Sequence, residues 1–483
     1  MRSADAIVVG AGAAGCVVAR RLADAGRSVI LVEAGPGLPC PEALQTIDTL
    51  DALTQPDRFW PGLTVASAPP RVEHPYRIGH GLGGGTAVNA MVMTTGDRAD
   101  YDRWDQHWGA TGWGWPGFGP WFDDLATRFS TEPAPIGPLA GAVRSSIEAE
   151  GGSVDGLSAD VDGWGFTAAS ITTRHGLRHG AAEAFVGSGP ALGSPSGDGI
   201  DLMAESPVRR VLFSAGAAVG VELIDGSQLG GGTVVLSAGA LNSPALLRAS
   251  GVESVGDERP VVDHPSFVFP IALRPEFRCP LDQAVVPISG VVRWSARIGV
   301  TGRPRRMADL MAFVMDHVGS GPDGRRFGAI VLVLADVASV GSLRWTGDKM
   351  RLDPGWLNHD LDRQTLIMGA RQIAALLRSG PVASAAEGVF VDDVGTNLDV
   401  FERLTDVELG DWLVTHPGPI AHPGASCSPV LNGTPGPGLV DLDGAVRGHR
   451  RLHVIDGSTL PYLPAANPQL PIMALAARLS SDL

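Results

Sequence analysis

The feature that most constrains the fold is a pattern of strand, glycine turn, helix and strand within the first thirty-five residues. The apolar run that ends the predicted strand Asp5–Val9 leads directly into the segment Gly10-Ala11-Gly12-Ala13-Ala14-Gly15, and a helical apolar spacing follows up to Gly26. A second apolar run over residues 29–32 ends at Glu33. Short continuous apolar runs are typical of buried parallel strands, so the pattern predicts an α/β fold with a Rossmann-like unit.

Each part of this pattern suits the binding of a dinucleotide. Gly10 permits the tight turn, Gly12 lets the backbone approach a pyrophosphate, and Gly15 lets the helix pack closely on the strand. The helix N-terminus offers free N–H groups and a partial positive charge to phosphate. Glu33 stands where an acid would bind ribose hydroxyls and would repel the 2′-phosphate of NADP. The choice between NAD and FAD stays open at this point. The residues assigned to the cofactor here are Gly10, Gly12, Ala13, Ala14, Gly15, Glu33 and Ala34.

The composition limits the class of protein. A chain of 483 residues exceeds what one hydrophobic core usually supports, so we expect two domains. A net charge of −15 argues against a nucleic-acid partner. The four cysteines are scattered without a metal or disulfide spacing, which favours a reducing compartment. Neither a signal peptide nor an apolar run of about 18 residues is recognisable, so we expect a cytoplasmic protein without a transmembrane segment.

A second glycine cluster and several later motifs carry a family resemblance. Residues 79–91 read GHGLGGGTAVNAM, and they are followed by DRADYDRW at 97–104 and GWGW at 112–115. This series resembles the glucose–methanol–choline (GMC) oxidoreductases, with the family's G-R-x-L-G-G-S-S-x-x-N-x-M, DYDxW and GWGW elements. The resemblance continues in order along nearly the whole chain, through segments 205–211 (ESPVRRV), 236–244 (LSAGALNSP), 263–265 (DHP), 422–427 (HPGASC), 454–458 (VIDGS) and 466–468 (ANP).

The resemblance implies FAD as cofactor and the oxidation of a small-molecule alcohol. It also implies a discontinuous FAD-binding domain, residues 1–270 joined by 430–483, and a substrate domain over 271–429 built on an antiparallel sheet flanked by helices. It leaves the electron acceptor open among O2, a quinone and a redox carrier. The further residues that it assigns to FAD are His80, Gly84, Thr86, Asn89, Val92, Val208, Ala238, Asp456, Gly457 and Pro468.

The same resemblance assigns a catalytic pair. Alcohol oxidation needs a base for the hydroxyl proton and a second hydrogen-bonding side chain for the substrate oxygen, and histidine has a suitable pKa for the first task. The positions that match the family's pair are His422 and Asn467. His416 is a competitor because it also begins a His-Pro-Gly segment, but only His422 continues as the family motif does.

Three departures from the family pattern bear on the site. His80 replaces the family arginine. Val88 occupies the position where some members attach FAD through a histidine, so we expect noncovalent FAD. The segment Pro275–Gly328 matches family patterns poorly, reads as irregular, and is expected to shape the substrate entrance. Two HxxxH spacings, 175/179 and 449/453, lack a third ligand, so we predict no metal site.

Three other functions remain compatible with the resemblance. The chain also resembles the branch that oxidises reduced mycofactocin and passes electrons to a respiratory acceptor. A GMC-type hydroxynitrile lyase would keep FAD without redox turnover. An inactive FAD-binding partner is the third alternative.

Overall fold

The structure is a computed structural model that describes residues 2–37, 45–48, 52–53, 55–66, 73–108, 112–129, 131–154, 163–187, 199–296, 308–418, 420–429 and 438–483. Its strands are β1 Arg2–Val9, β2 Val29–Val32, β3 Thr64–Ala66, β4 Glu73–Pro75, β5 Glu132–Pro133, β6 Gly165–Ala168, β7 Ser170–Ile171, β8 Thr173–Arg174, β9 Leu177–Arg178, β10 Ile200–Met203, β11 Val208–Ser214, β12 Ala217–Leu223, β13 Gln228–Leu236, β14 Glu258–Val261, β15 Ser266–Leu273, β16 Ile288–Trp294, β17 Leu310–Met315, β18 Phe327–Leu334, β19 Gly341–Thr346, β20 Lys349–Asp353, β21 Ala386–Val389 and β22 Leu452–Val454. Its α-helices are α1 Ala13–Asp24, α2 Gly85–Val88, α3 Arg98–Trp108, α4 Trp115–Ala126, α5 Pro138–Ala149, α6 Gly239–Ala249, α7 Asp360–Leu377, α8 Gly380–Ala385, α9 Leu398–Glu402, α10 Asp406–Thr415 and α11 Gln469–Leu479.

The first sheet contains the predicted Rossmann-like unit. Its strand order is β10-β2-β1-β13-β12-β11, and β22 pairs with β13. The strands β10, β2, β1, β13 and β22 are parallel, whereas β12 and β11 form an antiparallel extension. Strand β1 starts earlier than the predicted Asp5 because Arg2 already pairs with Leu229 of β13. Because β22 comes from the end of the chain, this sheet is discontinuous in sequence, as the resemblance implied.

The second large sheet is antiparallel, with the order β21-β15-β18-β17-β16-β6. It draws β6 and most of β15 from before residue 271, so the sheet itself crosses the expected division of the chain. The prediction that Pro275–Gly328 is irregular is wrong for the part that is described, because β16 and β17 lie within it. A shift in strand register between Ile288 and Gly290, together with the buried Arg293, breaks the regular apolar pattern of β16, which hid that strand in the sequence.

Helices separate these sheets from solvent. Helix α1 packs on β1 and on α11, and α11 packs on α4. Helices α5 and α7 lie against β17, which leaves the opposite face of the antiparallel sheet for the interior of the molecule. A further sheet has the order β14-β19-β20-β3-β4.

Candidate active site

In the first glycine turn, Gly10 and Gly15 lie so close to neighbouring backbone atoms that a Cβ at either position would clash. Gly10 has a φ of 102°, and a Cβ there would lie 2.4 Å from the carbonyl oxygen of Ser237. A Cβ on Gly15 would lie 1.8 Å from the carbonyl oxygen of Gly10. Gly12 differs, because its Cβ would meet nothing closer than 3.9 Å and would enter open space beside the N-terminus of α1. Gly12 is therefore the residue that leaves room for a ligand.

Glu33 joins the two glycine clusters. Its Oε2 accepts a hydrogen bond from the Ala11 N–H at 2.8 Å, and its Oε1 accepts from the N–H groups of Gly35 at 2.9 Å and Gly81 at 3.1 Å. The side chain is buried and also lines the central cavity. A carboxylate has about four acceptor sites, so these three bonds leave capacity for a ligand hydroxyl.

The second glycine cluster lies directly against the first. The Gly83 N–H donates to the Ala11 carbonyl at 2.8 Å, and a Cβ on Gly84 would lie 2.8 Å from the Gly12 Cα. Gly84 has a φ of 51°, which favours glycine. Asn89 follows at the end of α2, and Arg178 donates to its Oδ1 at 3.0 Å. The two clusters thus form one continuous wall.

These elements enclose a cavity of about 860 Å³. Helices α1, α6 and α11 all begin at residues that line it, so three helix N-termini face the space. Two predicted cofactor residues, Gly15 and His80, do not line the cavity; the His80 ring packs 4.6 Å from the Trp60 ring. The predicted residues that do line it are Gly10, Gly12, Ala13, Ala14, Glu33, Ala34, Gly84, Thr86, Asn89, Val92, Val208, Ala238, His422, Asp456, Gly457, Asn467 and Pro468.

His422 lies at the cavity wall in contact with a second histidine. Its Nδ1 is 3.1 Å from the Nδ1 of His264, and the two rings meet edge to face. Burial, and then the charge of His264, lower the pKa of His422 well below its ordinary value of 6.5. Burial likewise lowers the pKa of His264 to about 4. Both rings are therefore neutral near pH 7, and a neutral imidazole can accept a proton.

Asp263 fixes the backbone on which these histidines stand. Its Oδ1 accepts from the N–H groups of His264 at 2.9 Å and His422 at 2.8 Å, and the Tyr76 hydroxyl donates to its Oδ2 at 2.8 Å. Burial raises the pKa of Asp263 to about 7 although these hydrogen bonds lower it. Asp263 therefore holds the two histidines from behind and does not line the cavity.

Asn467 reaches the same cavity from the segment before α11. The Ala465 N–H donates to Asp100 at 2.8 Å, and Arg293 donates to the Ala465 carbonyl at 3.2 Å. The segment is thus held by both the DYDxW element and the antiparallel sheet. Within the described part of the chain, the Asn467 Oδ1 is buried without a hydrogen-bond partner. Such an atom is costly unless a ligand or water pairs with it.

Asp456 supports the N-terminus of α6. Its Oδ2 accepts from the Gly239 N–H at 2.8 Å and from the Ser243 hydroxyl at 2.5 Å, at the start of α6. Its Oδ1 accepts from the Ser458 N–H at 2.8 Å. The carboxylate therefore draws the end of β22 and α6 together at the cavity.

The competitor His416 lies outside the cavity. It follows α10, where its Nδ1 is 3.0 Å from the Trp412 carbonyl oxygen and its ring stacks on the Trp412 ring at 4.3 Å. The HxxxH pairs do not lie on helices: His175 sits in the β8–β9 turn and His453 lies in β22. No group of three metal-ligating side chains occurs among the described residues. In the same part of the chain, no helix has the length and apolar character needed to span a membrane.

The sequence analysis did not identify the residues that position His422 and Asn467. It noted the Asp-His-Pro segment without assigning a role to His264 or Asp263, and it did not single out Tyr76 or Gln469. The one available signal was that two His-Pro dipeptides, 264–265 and 422–423, both belong to family motifs. Gln469 lines the cavity beside Asn467 and accepts a hydrogen bond from Asn89.

The residues present fit a flavin dinucleotide. The glycine cradle, the three helix N-termini and the buried acid suit the pyrophosphate and ribose, and the orphaned Asn467 oxygen lies in the same cavity as the base. An NAD site would account for the first glycine turn alone. The size of the cavity and its continuity to His422 and Asn467 favour the longer cofactor plus a substrate.

Comparison with known proteins agrees with this geometry. Family models described as GMC oxidoreductase match residues 4–266 and 338–476. The chain is 27% identical to the 5-(hydroxymethyl)furfural oxidase of Methylovorus sp. (strain MP688), over 99% of this chain and 98% of that protein. It is 34% identical to the mitochondrial choline dehydrogenase of Homo sapiens, over 53% of this chain and 48% of that protein.

Solved structures share the fold. Pyridoxine 4-oxidase from Mesorbium loti superposes with a TM-score of 0.82 at 21% identity, covering 99% of this chain and 98% of that one. A formate oxidase superposes with a TM-score of 0.83 at 18% identity and the same coverage. Since two family models together match most of the chain, it belongs to the GMC oxidoreductase family and is an FAD-dependent alcohol oxidoreductase of that type.

Proposed function

We propose that this chain holds FAD noncovalently and oxidises an alcohol to an aldehyde or ketone, with His422 as base and Asn467 as the group that orients the substrate oxygen. The observation that carries the proposal is the half-buried, neutral His422 ring in the same cavity as the orphaned Asn467 oxygen and the glycine cradle. When bound, FAD supplies the acceptor for the two electrons and the hydrogen that leave the alcohol carbon.

The two ends of the cavity suit the two halves of that cofactor. Gly12 and the N-terminus of α1 would hold the pyrophosphate, and Glu33 would bind the ribose hydroxyls with its free acceptor capacity. Val208 would contact the adenine. Asn89 and Val92 would adjoin the isoalloxazine, and the N-terminus of α11 would stabilise negative charge there.

His264 decides which nitrogen of His422 can act as the base. One of the two facing Nδ1 atoms must donate to the other, because both rings are neutral. The His264 Nε2 is buried without a hydrogen-bond partner among the described residues, so the contact between the two Nδ1 atoms is the one that bears on the tautomer. For His422 to act as the base, His264 accepts at Nδ1 and His422 donates from its own Nδ1. The Nε2 of His422 is left with a free lone pair for the substrate hydroxyl.

Asn467 complements this base. The buried Oδ1 and the amide NH2 of an asparagine can pair with a hydroxyl group, and the NH2 can donate to an oxygen that becomes more negative as its proton leaves. The alcohol O–H proton goes to His422, the carbon-bound hydrogen leaves with its electron pair, and a carbonyl group remains. The side chains of Asp263 and His264 hold the base and take no part in bond breaking.

Noncovalent binding of FAD is supported by the lining of the cavity. Covalent flavin links are made by histidine, cysteine or tyrosine side chains, and His422 is the one such residue among the described residues that line it. Val88 occupies the position used for histidyl attachment in some family members. Flavin should therefore separate from acid-denatured protein, and flavin that stays with the precipitate would contradict the proposal.

The test of the proposed function is anaerobic mixing of the purified flavoprotein with a panel of alcohols. Bleaching of the oxidised flavin, with one carbonyl product per flavin reduced, is the expected result. Reoxidation by O2 and by a quinone in separate samples then identifies the electron acceptor. A flavin that stays yellow with every alcohol while a cyanohydrin is cleaved would establish the hydroxynitrile lyase instead.

A further inference from the structure

The antiparallel sheet has two apolar faces, and only one belongs to the main core. In β17 the side chains of Leu310, Ala312 and Val314 pack in the main core with α5 and α7. The alternate residues Phe313 and Met315 belong to a separate apolar cluster on the other face. Because successive side chains of a strand point to opposite faces, this second cluster is built by the sheet itself.

The second face forms the wall of the cavity next to the catalytic pair. Phe313 is paired across the sheet with Val331, and Met315 is paired with Ile288, so neighbouring strands bring these four side chains together. All four line the cavity that contains His422. The apolar cluster continues onto the cavity residues Val92 and Ile420.

The charged groups of the described cavity lining lie outside the antiparallel sheet, and they are Glu33, Arg77, Arg248, Asp348 and Asp456. Glu33 is bonded to the glycine turns, and Asp456 to α6. Arg248 lies over the Trp345 ring and pairs with Asp257. Among the described lining residues of the antiparallel sheet, none is charged. A cationic substrate would meet no carboxylate there, and a polyol would leave hydroxyl groups unpaired.

We propose that the substrate is an alcohol whose reacting hydroxymethyl group is attached to an uncharged apolar body, aromatic or aliphatic, seated against Phe313, Met315 and Val331. This inference rests on the proposed function for the oxidation itself and adds the substrate class. His422 and Asn467 supply the polar contacts to the hydroxyl group, and the sheet face supplies an apolar surface for the rest. An apolar wall with a few polar groups at one end is typical of sites that bind such ligands.

The test compares alcohols that share the reacting group. Holoenzyme is mixed anaerobically with benzyl alcohol, hexan-1-ol, choline and glucose, and the second-order rate constant of flavin bleaching is measured for each. We expect the two apolar alcohols to exceed choline and glucose by at least about 10²-fold, the order by which an unpaired polar group is rejected. Choline or glucose reacting as fast as benzyl alcohol would overturn the substrate class and leave the proposed function intact.

A binding measurement separates the two proposals. Toluene and tetramethylammonium carry no hydroxyl group, and their dissociation constants are read from changes in the flavin absorption spectrum. We expect toluene to bind at least tenfold more tightly. If no alcohol bleaches the flavin, the proposed function fails, and a preference for toluene still supports an apolar site. Tighter binding of tetramethylammonium contradicts the apolar site whatever the activity.

Substitution of Phe313 or Met315 tests whether these side chains contact the body of the substrate. Phe313→Glu introduces a carboxylate, and Phe313→Gln is its neutral match. We expect the ratio of the choline to the benzyl alcohol rate constant to rise at least tenfold in the Glu variant relative to the Gln variant. Bound flavin and thermal melting report folding, and Met315→Glu against Met315→Gln, at a half-buried position, serves if Phe313→Glu does not fold. An unchanged ratio in folded variants overturns the assignment.

Discussion

The Nδ1 atoms of His264 and His422 lie 3.1 Å apart although 158 residues separate them in the sequence. The contact is built by the backbone, because Val262 and Gly424 exchange both of their N–H···O=C hydrogen bonds, at 3.1 and 2.9 Å. Asp263 then binds the N–H groups of both histidines. The base therefore has a fixed partner on the side away from the substrate, and several consequences can be measured.

Replacing the base should stop chemistry without releasing the cofactor. We expect His422→Ala to retain bound FAD and to slow anaerobic flavin reduction by about 10²–10⁴-fold, the contribution typical of a positioned general base. The matched control is His416→Ala, because His416 begins a similar His-Pro-Gly segment but stacks on Trp412 outside the cavity. Unchanged reduction in His422→Ala, or an equal loss in the control, would refute the assignment of the base.

Removing the partner of the base should change both rate and pH dependence. His264→Phe deletes the acceptor for the His422 Nδ1–H, so we expect reduction to slow by at least about tenfold, toward the ~10⁴-fold that a wrong tautomer costs in a related arrangement. Since His264 also lowers the pKa of His422, the acid limb of the rate profile should move to higher pH.

The conservative variant His264→Gln is the control for that experiment. Its side-chain oxygen can accept the same proton, so we expect it to recover part of the lost rate. If the two variants lose equal activity and neither shifts the pH profile, His264 has only a packing role.

The glycine cradle should respond to a single methyl group. Gly12→Ala places a Cβ in open cavity space, 3.9 Å from its nearest neighbour, so the protein should fold but bind FAD at least about tenfold more weakly. Gly141→Ala is the control, since its Cβ would also have room, at 4.0 Å, but in α5 and away from the cavity. The ratio of flavin to protein after purification and the dissociation constant of FAD for the apoprotein report the result. Equal retention of FAD in both variants would show that the pyrophosphate does not approach Gly12.

Ionisation of Asp263 should lower the free energy of unfolding as the pH rises. Burial raises its folded-state pKa from 3.8 to about 7, so the folded protein binds a proton that the unfolded chain has lost between these values. Its contribution is fully present below about pH 4 and is lost as the pH rises through 7. Between about pH 4 and 7 we expect a loss of up to about 1.4 kcal/mol per pH unit from this group, and above pH 7 no further loss, because the carboxyl is then ionised in both states.

The measurement is urea unfolding of the wild type and of Asp263→Asn at pH 5.5 and 7.0, an interval that lies above the unfolded carboxyl pKa of 3.8 and reaches the folded pKa. The variant cannot ionise at this position, so its stability should fall less over the interval than that of the wild type. Parallel pH dependence in the two proteins would show that Asp263 does not titrate there.

The β1–α1–β2 unit could be predicted from the sequence because its pattern is local: the glycine positions, the apolar runs and Glu33 lie within one short segment. His422 and Asn467 were found through motifs, and both line one cavity. The His264–His422 contact could not be predicted, because it depends on a pairing between distant loops. His80 was assigned to the cofactor by its neighbours in sequence, whereas its side chain turns to Trp60.

The antiparallel sheet was expected from the family resemblance, but its two separate apolar faces were hidden in the sequence for a different reason. Strand β18 is buried on both faces and reads as an unbroken apolar run, which does not reveal that alternate residues serve two separate clusters. Which face meets the catalytic pair is decided by how the sheet docks on the rest of the molecule. The sequence alone therefore could not predict that Phe313, Met315 and Val331 line the cavity.

The hydrogen bonds of Glu33 bear on how the apoprotein binds FAD. Its carboxylate is already bonded by the amides of Ala11, Gly35 and Gly81, all supplied by the chain itself. The adenosine end of the site is thereby assembled from protein groups alone and does not depend on the ligand for its shape. We expect the apoprotein to keep a preformed binding site for the ADP part of FAD. FAD should then bind through its adenosine end first, and the isoalloxazine ring should take its position last.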